Sequence, residues 1–252
     1  MRFAILLSYK GTHYHGWQIQ HNKTTVQEVV QSALTTLLRV ETEVIGCGRT
    51  DTGVHAKYYV AHFDYHGEKK INQDLIYHLN AILPGDIAID RVLLMNENFH
   101  ARFDAISRTY EYFIHGYKSP FMDESSYRIR NFDSLPIETL QEAADLLLKY
   151  KAFFPFCLSN SGVDHYDVNL LYARWEMIEA RRLKFTIQAN RFLRGMVRLV
   201  TGMCVQVALG QLTKDDVIEA MDYQTLLPKS LSLPAHALYL TEVEYPKGVF
   251  LR

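Results

Sequence analysis

The segment CGRTDTGVHAK (47–57) contains the residues best suited to chemistry. A single carboxylate, Asp51, lies there among small turn-forming residues, with Arg49 two positions before it and His55 four positions after it. A neighbouring guanidinium favours the charged form of a carboxyl group and lowers its pKa, and a nucleophilic carboxylate needs such a partner. The pattern has two interpretations: a catalytic aspartate, or a tight turn that uses Gly, Asp and Thr for their backbone properties.

The triplet Asp-Thr-Gly at 51–53 is also the signature of aspartic proteases, which place two such triplets face to face. The sequence contains one copy, so a protease would need the second from a partner subunit. Long helical stretches at 24–40, 136–150 and 191–210 disagree with the short, all-β chains that form such dimers. We therefore set the protease interpretation aside.

Three histidines near the start of the chain, His13, His15 and His21, raise the question of a metal site. Their spacing is weak evidence, and no acidic or cysteine residue completes a ligand set. We interpret them as polar loop residues and expect activity to be independent of metal.

The elements around the Asp51 turn follow a regular order. The first half reads as strand, helix, two strands, helix and strand, at residues 2–9, 24–40, 44–47, 57–65, 72–83 and 87–94. Thr25 and Glu28 fit a capping box at the start of the first helix, and Pro84-Gly85 ends the second. The Asp51 turn is thus expected between two strands.

The second half repeats this order. Its predicted strands, helices and hairpin lie at 106–117, 136–150, 172–180 with 182–190, 191–210, a short helix after Thr213, and 236–245. The two units predict an α+β fold of two ferredoxin-like halves, 1–104 and 105–252, each with an antiparallel sheet and helices on one face. We expect the active-site cleft between the halves.

Composition excludes several classes of protein. A 252-residue chain with 48% hydrophobic residues can bury a large core. Its three cysteines are odd in number and never form a C-x-x-C pair, which fits a reducing cytoplasm. No apolar run is long enough for a signal peptide or a membrane span. Because the net charge is −1, any nucleic-acid surface must be a local patch.

Five blocks of sequence resemble the tRNA pseudouridine synthases of the TruA family, in family order. CGRTDTGVHA is similar to the family's G-R-T-D-x-G-V-H-A block, in which the aspartate is catalytic. The other blocks are YKGTHYHGWQIQ (9–20), LPGDIAI (83–89) with FHARFDAISRTYEY (99–112), NRFLRGMVRLVTG (190–202) and ALYLTEVEYP (237–246). Together they span the chain from end to end and are far more specific than any one block.

The resemblance implies a function. It implies isomerisation of uridines 38, 39 and 40 in the anticodon arm of tRNA, without a cofactor, by a cytoplasmic homodimer in which one tRNA touches both subunits. Asp51 is then the nucleophile or base. Tyr110 falls on the family's active-site tyrosine, where its ring can stack on a uracil taken out of the helix.

Arg198 falls on the arginine of the family's M-V-R motif. If the helix begins near Arg191, then Arg191, Arg194 and Arg198 share one face. The residues around Arg198 are strongly apolar, and a charge on a buried helix needs a partner. We therefore predict an ion pair between Asp51 and Arg198, and we expect Gly195 and Gly202 to let another backbone approach this helix.

Further residues in or near the matched blocks are expected to contact RNA. The candidates for phosphate contacts are Arg49, His55, Lys57, Arg102 and Arg108, and Trp17 with Gln18 is expected to line the same cleft.

The chain departs from the family pattern at Lys10, Thr52, Ala152 and Pro155, which puts the grip on RNA in doubt and leaves the catalytic assignment unchanged. Two alternatives remain: an RNA-binding module without catalysis, or the same chemistry on other RNA sites.

Overall fold

The protein is described here from a computed structural model that covers residues 1–68, 71–158, 164–227 and 231–250. Within these ranges the fold is mixed α/β, with five α-helices and nine mostly antiparallel strands. In chain order the elements are β1 Arg2–Tyr9, α1 Val26–Leu38, β2 Val44–Gly46, β3 His55–Asp64, α2 Gln73–Ile82, β4 Ile87–Met95, β5 Ser107–His115, β6 Tyr127–Arg128, α3 Ile137–Leu147, β7 Leu170–Glu179, β8 Arg182–Ala189, α4 Met196–Ala208, α5 Lys214–Tyr223 and β9 Leu238–Glu244.

The chain divides into two compact units. One comprises Met1–Ile106 with Tyr239–Arg252, and the other comprises Ser107–Leu238. The first unit is therefore discontinuous in sequence. None of the helices in the described ranges is long and apolar enough to cross a membrane.

The sheet of the first unit is built around β1. This strand is apolar along most of its length and pairs antiparallel with β3 on one side and β4 on the other. Strand β2 pairs antiparallel with the far end of β3, and β9 runs parallel to the first residues of β3, where His55 lies opposite Tyr239. The start of β3 thus has ordered strands on both sides, and the Asp51 turn enters the sheet at this point.

The second unit has an antiparallel sheet of β5, β8 and β7, with β6 parallel to β5. Helix α3 contacts both β7 and α4. Alternate residues of β8, from Leu183 to Ala189, are buried, as the period of two predicts.

The predicted helices and strands are present, and one helix start differs in a way that concerns the candidate site. Thr25 is the N-cap of α1, and its hydroxyl accepts a hydrogen bond from Glu28 N at 3.4 Å. Helix α4 begins at Met196 and not near Arg191, because Gly195 takes a left-handed conformation with φ +72°. The expected single face of Arg191, Arg194 and Arg198 is therefore wrong, since the first two residues precede the helix.

The two glycines of this segment have different roles. A Cβ at Gly202 would overlap the carbonyl oxygen of Leu231, so a second backbone does approach the helix there, as predicted. A Cβ at Gly195 would meet the Leu158 side chain. The prediction of close backbone approach is wrong for Gly195, where the positive φ explains the glycine.

Candidate active site

Asp51 lies in a tight turn between β2 and β3. The turn is closed by a hydrogen bond from Val54 N to Asp51 O at 3.1 Å, and Gly53 has a φ of +80° that favours glycine. The Asp51 side chain is half-buried, whereas Thr52 is exposed. The turn therefore presents a single carboxylate at the end of a strand.

A second loop, residues 10–17, holds this turn through backbone contacts; we call this loop the clamp. Trp17 N donates to Thr50 O at 3.2 Å, and Gly53 N donates to Tyr14 O at 3.2 Å, so the turn is bonded on both sides of Asp51. A Cβ on Gly16 would overlap the carbonyl oxygen of Thr50. The glycines of the 9–20 block thus allow two backbones to pack directly against each other.

The clamp is itself fixed to the sheet. The Tyr14 hydroxyl donates to Asp86 Oδ1 at 2.6 Å, and burial together with this carboxylate raises the pKa of Tyr14. Lys10 N donates to Asp86 O at 2.9 Å. The backbone of Lys10, one of the positions that depart from the family pattern, therefore supports the clamp.

Three aromatic rings support the turn from the core. The Tyr9 hydroxyl and Thr50 Oγ1 lie 2.8 Å apart and are buried, and the Tyr59 hydroxyl donates to Gly48 O at 2.5 Å. Trp17 stacks on Tyr59 with ring centroids 4.1 Å apart. We expected Trp17 to line a cleft. The structure buries it instead, where it packs beneath the turn as part of the core.

His55 occupies the first position of β3 and is only 2% exposed. Its Nδ1 accepts a hydrogen bond from Gly11 N at 2.9 Å, and its ring stacks on Tyr239 at 4.7 Å. Because Nδ1 is the acceptor, Nε2 carries the hydrogen of the neutral ring. The geometry makes His55 a connection between the clamp, the turn and β9.

The basic residues predicted to contact RNA differ in exposure. Arg49, Lys57 and Arg102 are exposed, and the Lys57 ammonium lies 5.1 Å from the centroid of the Tyr239 ring. Arg108 is half-buried and donates from Nη1 to Asn190 O at 2.9 Å. Two of these cations, Arg49 and Lys57, flank the Asp51 turn in sequence.

Tyr110 lies in the middle of β5 and is half-buried. Its ring meets the edge of Phe192 at 5.2 Å and 87°. Tyr112 points to the same face of the strand, where its hydroxyl donates to Pro234 O at 2.8 Å and burial raises its pKa. Tyr110 is therefore the more accessible of the two rings.

Arg198 lies in the first turn of α4 and is half-buried. Its Nε donates to Leu233 O at 2.6 Å, and Leu233 N returns a bond to Arg198 O at 3.4 Å. The backbone of Leu233, 35 residues away in sequence, thus helps to position this guanidinium.

The three histidines near the start of the chain, and two positions that depart from the family pattern, lie outside the Asp51 turn. His13 and His21 are exposed, His15 is half-buried, and the described residues hold no group of three or more His, Cys, Asp or Glu able to bind a metal ion. Pro155 is buried in a short 3-10 helix, and Ala152 pairs with Asp167 in an isolated bridge. Both of the latter positions belong to the packing of the second unit.

Comparisons with known proteins point to one family. A family profile described as tRNA pseudouridine synthase matches residues 5–104 and 149–246. The protein named tRNA pseudouridine synthase A of Bacteroides fragilis is 43% identical over 99% of this chain and 98% of its own length. The proteins of the same name from Bacteroides thetaiotaomicron and Azobacteroides pseudotrichonymphae are 42% and 40% identical, over 99% of this chain and 92% and 98% of their own lengths.

Proposed function

The chain belongs to the tRNA pseudouridine synthase family, and we propose that it isomerises uridine to pseudouridine at positions 38, 39 and 40 of the tRNA anticodon arm, with Asp51 as the catalytic carboxylate. As a member of this family it is an isomerase, which removes the non-catalytic RNA-binding module as an alternative. The substrate positions and the role of Asp51 are the parts that need a test.

The observation that carries the proposal is the construction of the Asp51 turn. Backbone hydrogen bonds flank the carboxylate, at Thr50 and Gly53, and both come from the 10–17 loop. A catalytic group gains most when its geometry is fixed before the substrate arrives, since small displacements cost large factors in rate. An ordinary turn between two strands does not need a second loop bonded on both sides.

The reaction suits a site with a single carboxylate. The bond from N1 to C1′ of the uridine breaks, the uracil turns, and a bond from C5 to C1′ forms. C5 then loses its proton while N1 gains one, so the atoms balance and no electrons are exchanged with a cofactor. Asp51 supplies the one nucleophile or base that this sequence of bonds requires.

Tyr110 is proposed to receive the displaced uracil. An accessible ring in the middle of a strand can stack on a base taken out of its helix, a contact of about 1–3 kcal/mol. The neighbouring Phe192 fixes the ring plane through its edge contact. The predicted ion pair between Asp51 and Arg198 stays a prediction, and the bond from Arg198 to Leu233 supports only a fixed position for the guanidinium.

The proposed roles of the basic residues and of His55 differ from each other. Arg49 is exposed beside the turn and is proposed to contact a phosphate or the substrate directly. His55 is buried and accepts from Gly11 N, so we now assign it a positioning role in place of the direct contact predicted from sequence.

The wider setting is also proposed. The strand order β4-β1-β3-β2 with two helices supports a ferredoxin-like first half, and β5-β8-β7 with α3 and α4 supports the same for the second. We propose that the chain acts on the anticodon stem-loop of tRNA as a homodimer in the cytoplasm, where tRNA resides, and that the 1–104 and 105–252 halves carry Asp51 and Tyr110 respectively.

The experiment compares the protein with its Asp51→Ala and Asp51→Asn variants. Each is incubated with unmodified tRNA without added metal or cofactor, and pseudouridines are mapped by carbodiimide primer extension. We expect signals at 38, 39 and 40 for the unaltered protein, none for either variant, and tRNA binding retained in both.

Asp90→Ala is the matched control, because this carboxylate is exposed on β4 and pairs with the adjacent, equally exposed Arg91. It should leave turnover unchanged. Full activity of Asp51→Ala would remove the catalytic assignment, and modification at other positions would remove the anticodon-arm assignment.

A further inference from the structure

The loop of residues 99–104 is fixed to the sheet of the first unit at three points. Arg2 Nη1 donates to Phe99 O at 2.8 Å, Ala101 N donates to His62 Nδ1 at 3.1 Å, and the Tyr245 hydroxyl donates to Ala101 O at 2.5 Å. His62 and Ala101 are buried. This anchoring leaves the loop little freedom relative to β1 and β3.

The 99–104 loop is also closed internally. His100 N donates to Asp104 Oδ2 at 2.8 Å, and Asp104 N donates to His100 O at 3.0 Å. His100 Nδ1 accepts from both Arg102 N and Phe103 N, at 3.2 and 3.3 Å. The imidazole is therefore fixed in place by the backbone that carries the next side chains.

This fixed loop presents an aromatic ring to solvent. Phe103 is 74% exposed, although its backbone is held at several points. One side of the ring meets the His100 ring, with centroids 4.2 Å apart and planes 34° apart, and the Arg102 guanidinium lies 5.6 Å from its centroid. An exposed ring beside a cation, on a backbone that is already ordered, has the chemistry of a nucleobase stacking surface.

The 99–104 loop is distant from the Asp51 turn along β3. The turn enters β3 at His55, and the loop is bonded to His62, seven residues further on. At roughly 3.3 Å per residue the separation along the strand is about 23 Å. A base stacked on Phe103 is therefore not the uridine that meets Asp51.

We propose that Phe103 is a stacking site for an unpaired base of the bound tRNA other than the reacting uridine, with Arg102 supplying positive charge beside it. This inference rests on the proposed function, because the base belongs to the tRNA on which the protein is proposed to act. Stacking is open to any base because every base has a π-face, so this site adds affinity without reading sequence. The order of the loop reduces the conformational entropy lost on binding.

The test measures the Kd for unmodified tRNA with Phe103→Ala, Phe103→Leu and Phe103→Trp. Loss of a stacked base weakens binding by roughly 5- to 150-fold. We expect that loss for both Ala and Leu, since leucine keeps an apolar side chain without a π-face, and we expect Trp to bind as well as Phe. The KM for tRNA should rise with the Kd, and kcat at saturating tRNA should stay the same.

Tyr77→Ala is the matched control. Tyr77 is 72% exposed, belongs to the same unit and also meets a histidine ring, His78 at 5.4 Å, but it lies on α2 and not on an anchored loop. Its loss should leave the Kd unchanged. Because the altered side chain is exposed, all variants are expected to unfold at the temperature of the unaltered protein.

Two results would overturn the inference: unchanged affinity in Phe103→Ala, or full affinity in Phe103→Leu, which would show that a π-face is not required. These are distinct from failure of the proposed function. If the unaltered protein makes no pseudouridine, or Asp51→Ala still makes it, the proposed function fails whatever the Phe103 variants do. If catalysis depends on Asp51 while Phe103→Ala binds normally, only the stacking site fails.

Discussion

At the scale of single residues, the candidate chemistry depends on contacts between residues far apart in sequence. Asp51 supplies the carboxylate, but Thr50 beside it is bonded to Tyr9, which lies 41 positions earlier. Buried hydroxyl pairs of this kind contribute modestly to stability, yet they decide where the adjacent backbone lies. The placement of this candidate carboxylate is thus a property of the packed unit and not of the turn alone.

Tyr9→Phe tests this dependence. The change removes the bond to Thr50 Oγ1 and keeps the ring that packs against Tyr59 and Trp17. We expect the free energy of unfolding to fall by about 1 kcal/mol, and kcat to fall about tenfold because the carboxylate is less well placed. Steady-state kinetics on tRNA should show KM unchanged.

Tyr245→Phe is the control for loss of a buried hydroxyl that anchors the 99–104 loop and does not hold the Asp51 turn. It also removes a buried tyrosine hydrogen bond of the first unit, to Ala101 O, but it does so away from the turn. Its stability should fall by a similar amount with kcat intact. Equal effects of the two variants on kcat would argue against a specific link between Tyr9 and Asp51.

The sequence was informative about residues with a special backbone or reactive role and less so about buried partners. The motif around Asp51 predicts a turn, and the structure has one there, with glycine at the position of positive φ. The burial of His55 and Trp17 was not predicted, because polarity and loop position suggest exposure. Their partners, Gly11 and Tyr59, lie 44 and 42 positions away, and no local pattern indicates such pairs.

At the scale of elements, hydrophobic periodicity located the helices but not all of their ends. The apolar pattern of a helix extends back over residues 191–194. In the structure, however, Met196 N donates to Leu193 O in a turn, and the helix bonds begin with Leu199 N donating to Gly195 O. The start of α4 is set by the left-handed Gly195, which periodicity does not detect. The starts of α1 and α5 were easier to predict from sequence, because the side chains of Thr25 and Thr213 accept hydrogen bonds from the first turn of the helix backbone.

Gly202→Ala tests the close approach of two backbones at α4. Alanine normally stabilises a helix interior relative to glycine by about 1 kcal/mol. Here its Cβ would overlap Leu231 O, so we expect a loss of about 2 kcal/mol in unfolding free energy from overpacking. Urea unfolding measures the change, and kcat should fall as well, since Leu233, two residues on, binds Arg198.

Gly85→Ala serves as the comparison for Gly202→Ala. A Cβ at Gly85 meets nothing within 4 Å, and its φ lies outside the left-handed range. Its effect should stay within about 0.5 kcal/mol. A stabilised Gly202→Ala protein would show that the Leu231 segment yields without cost.

At the scale of the whole molecule, stability should depend on pH through His62. Burial lowers the pKa of His62 to about 4, with repulsion from Arg2 as a second cause, and the side chain is 1% exposed. The unfolded chain, with a histidine pKa of about 6.5, binds the proton more readily. Folding stability is therefore full above pH 6.5 and declines as the pH falls toward 4, by about 3 kcal/mol in total.

The measurement is urea unfolding at pH 7.5 and pH 5, for the unaltered protein and for His62→Gln. The glutamine can still accept from Ala101 N and has no charge to gain, so we expect its pH dependence to be smaller by about 2 kcal/mol over this interval. His66→Gln changes an exposed histidine two residues after the end of β3, so its stability should change with pH as that of the unaltered protein does. Identical slopes for all three proteins would exclude His62 as the source.

The discontinuity of the first unit has a consequence for synthesis on the ribosome. Strand β9, which runs beside His55 at the start of β3, is synthesised only after the rest of the 107–238 unit. Until then the edge of β3 that carries the Asp51 turn lacks its parallel neighbour, and Ile106 N lacks Glu244 O. Completion of the first unit around the Asp51 turn therefore waits until β9 has been synthesised, after the sequence of the second unit.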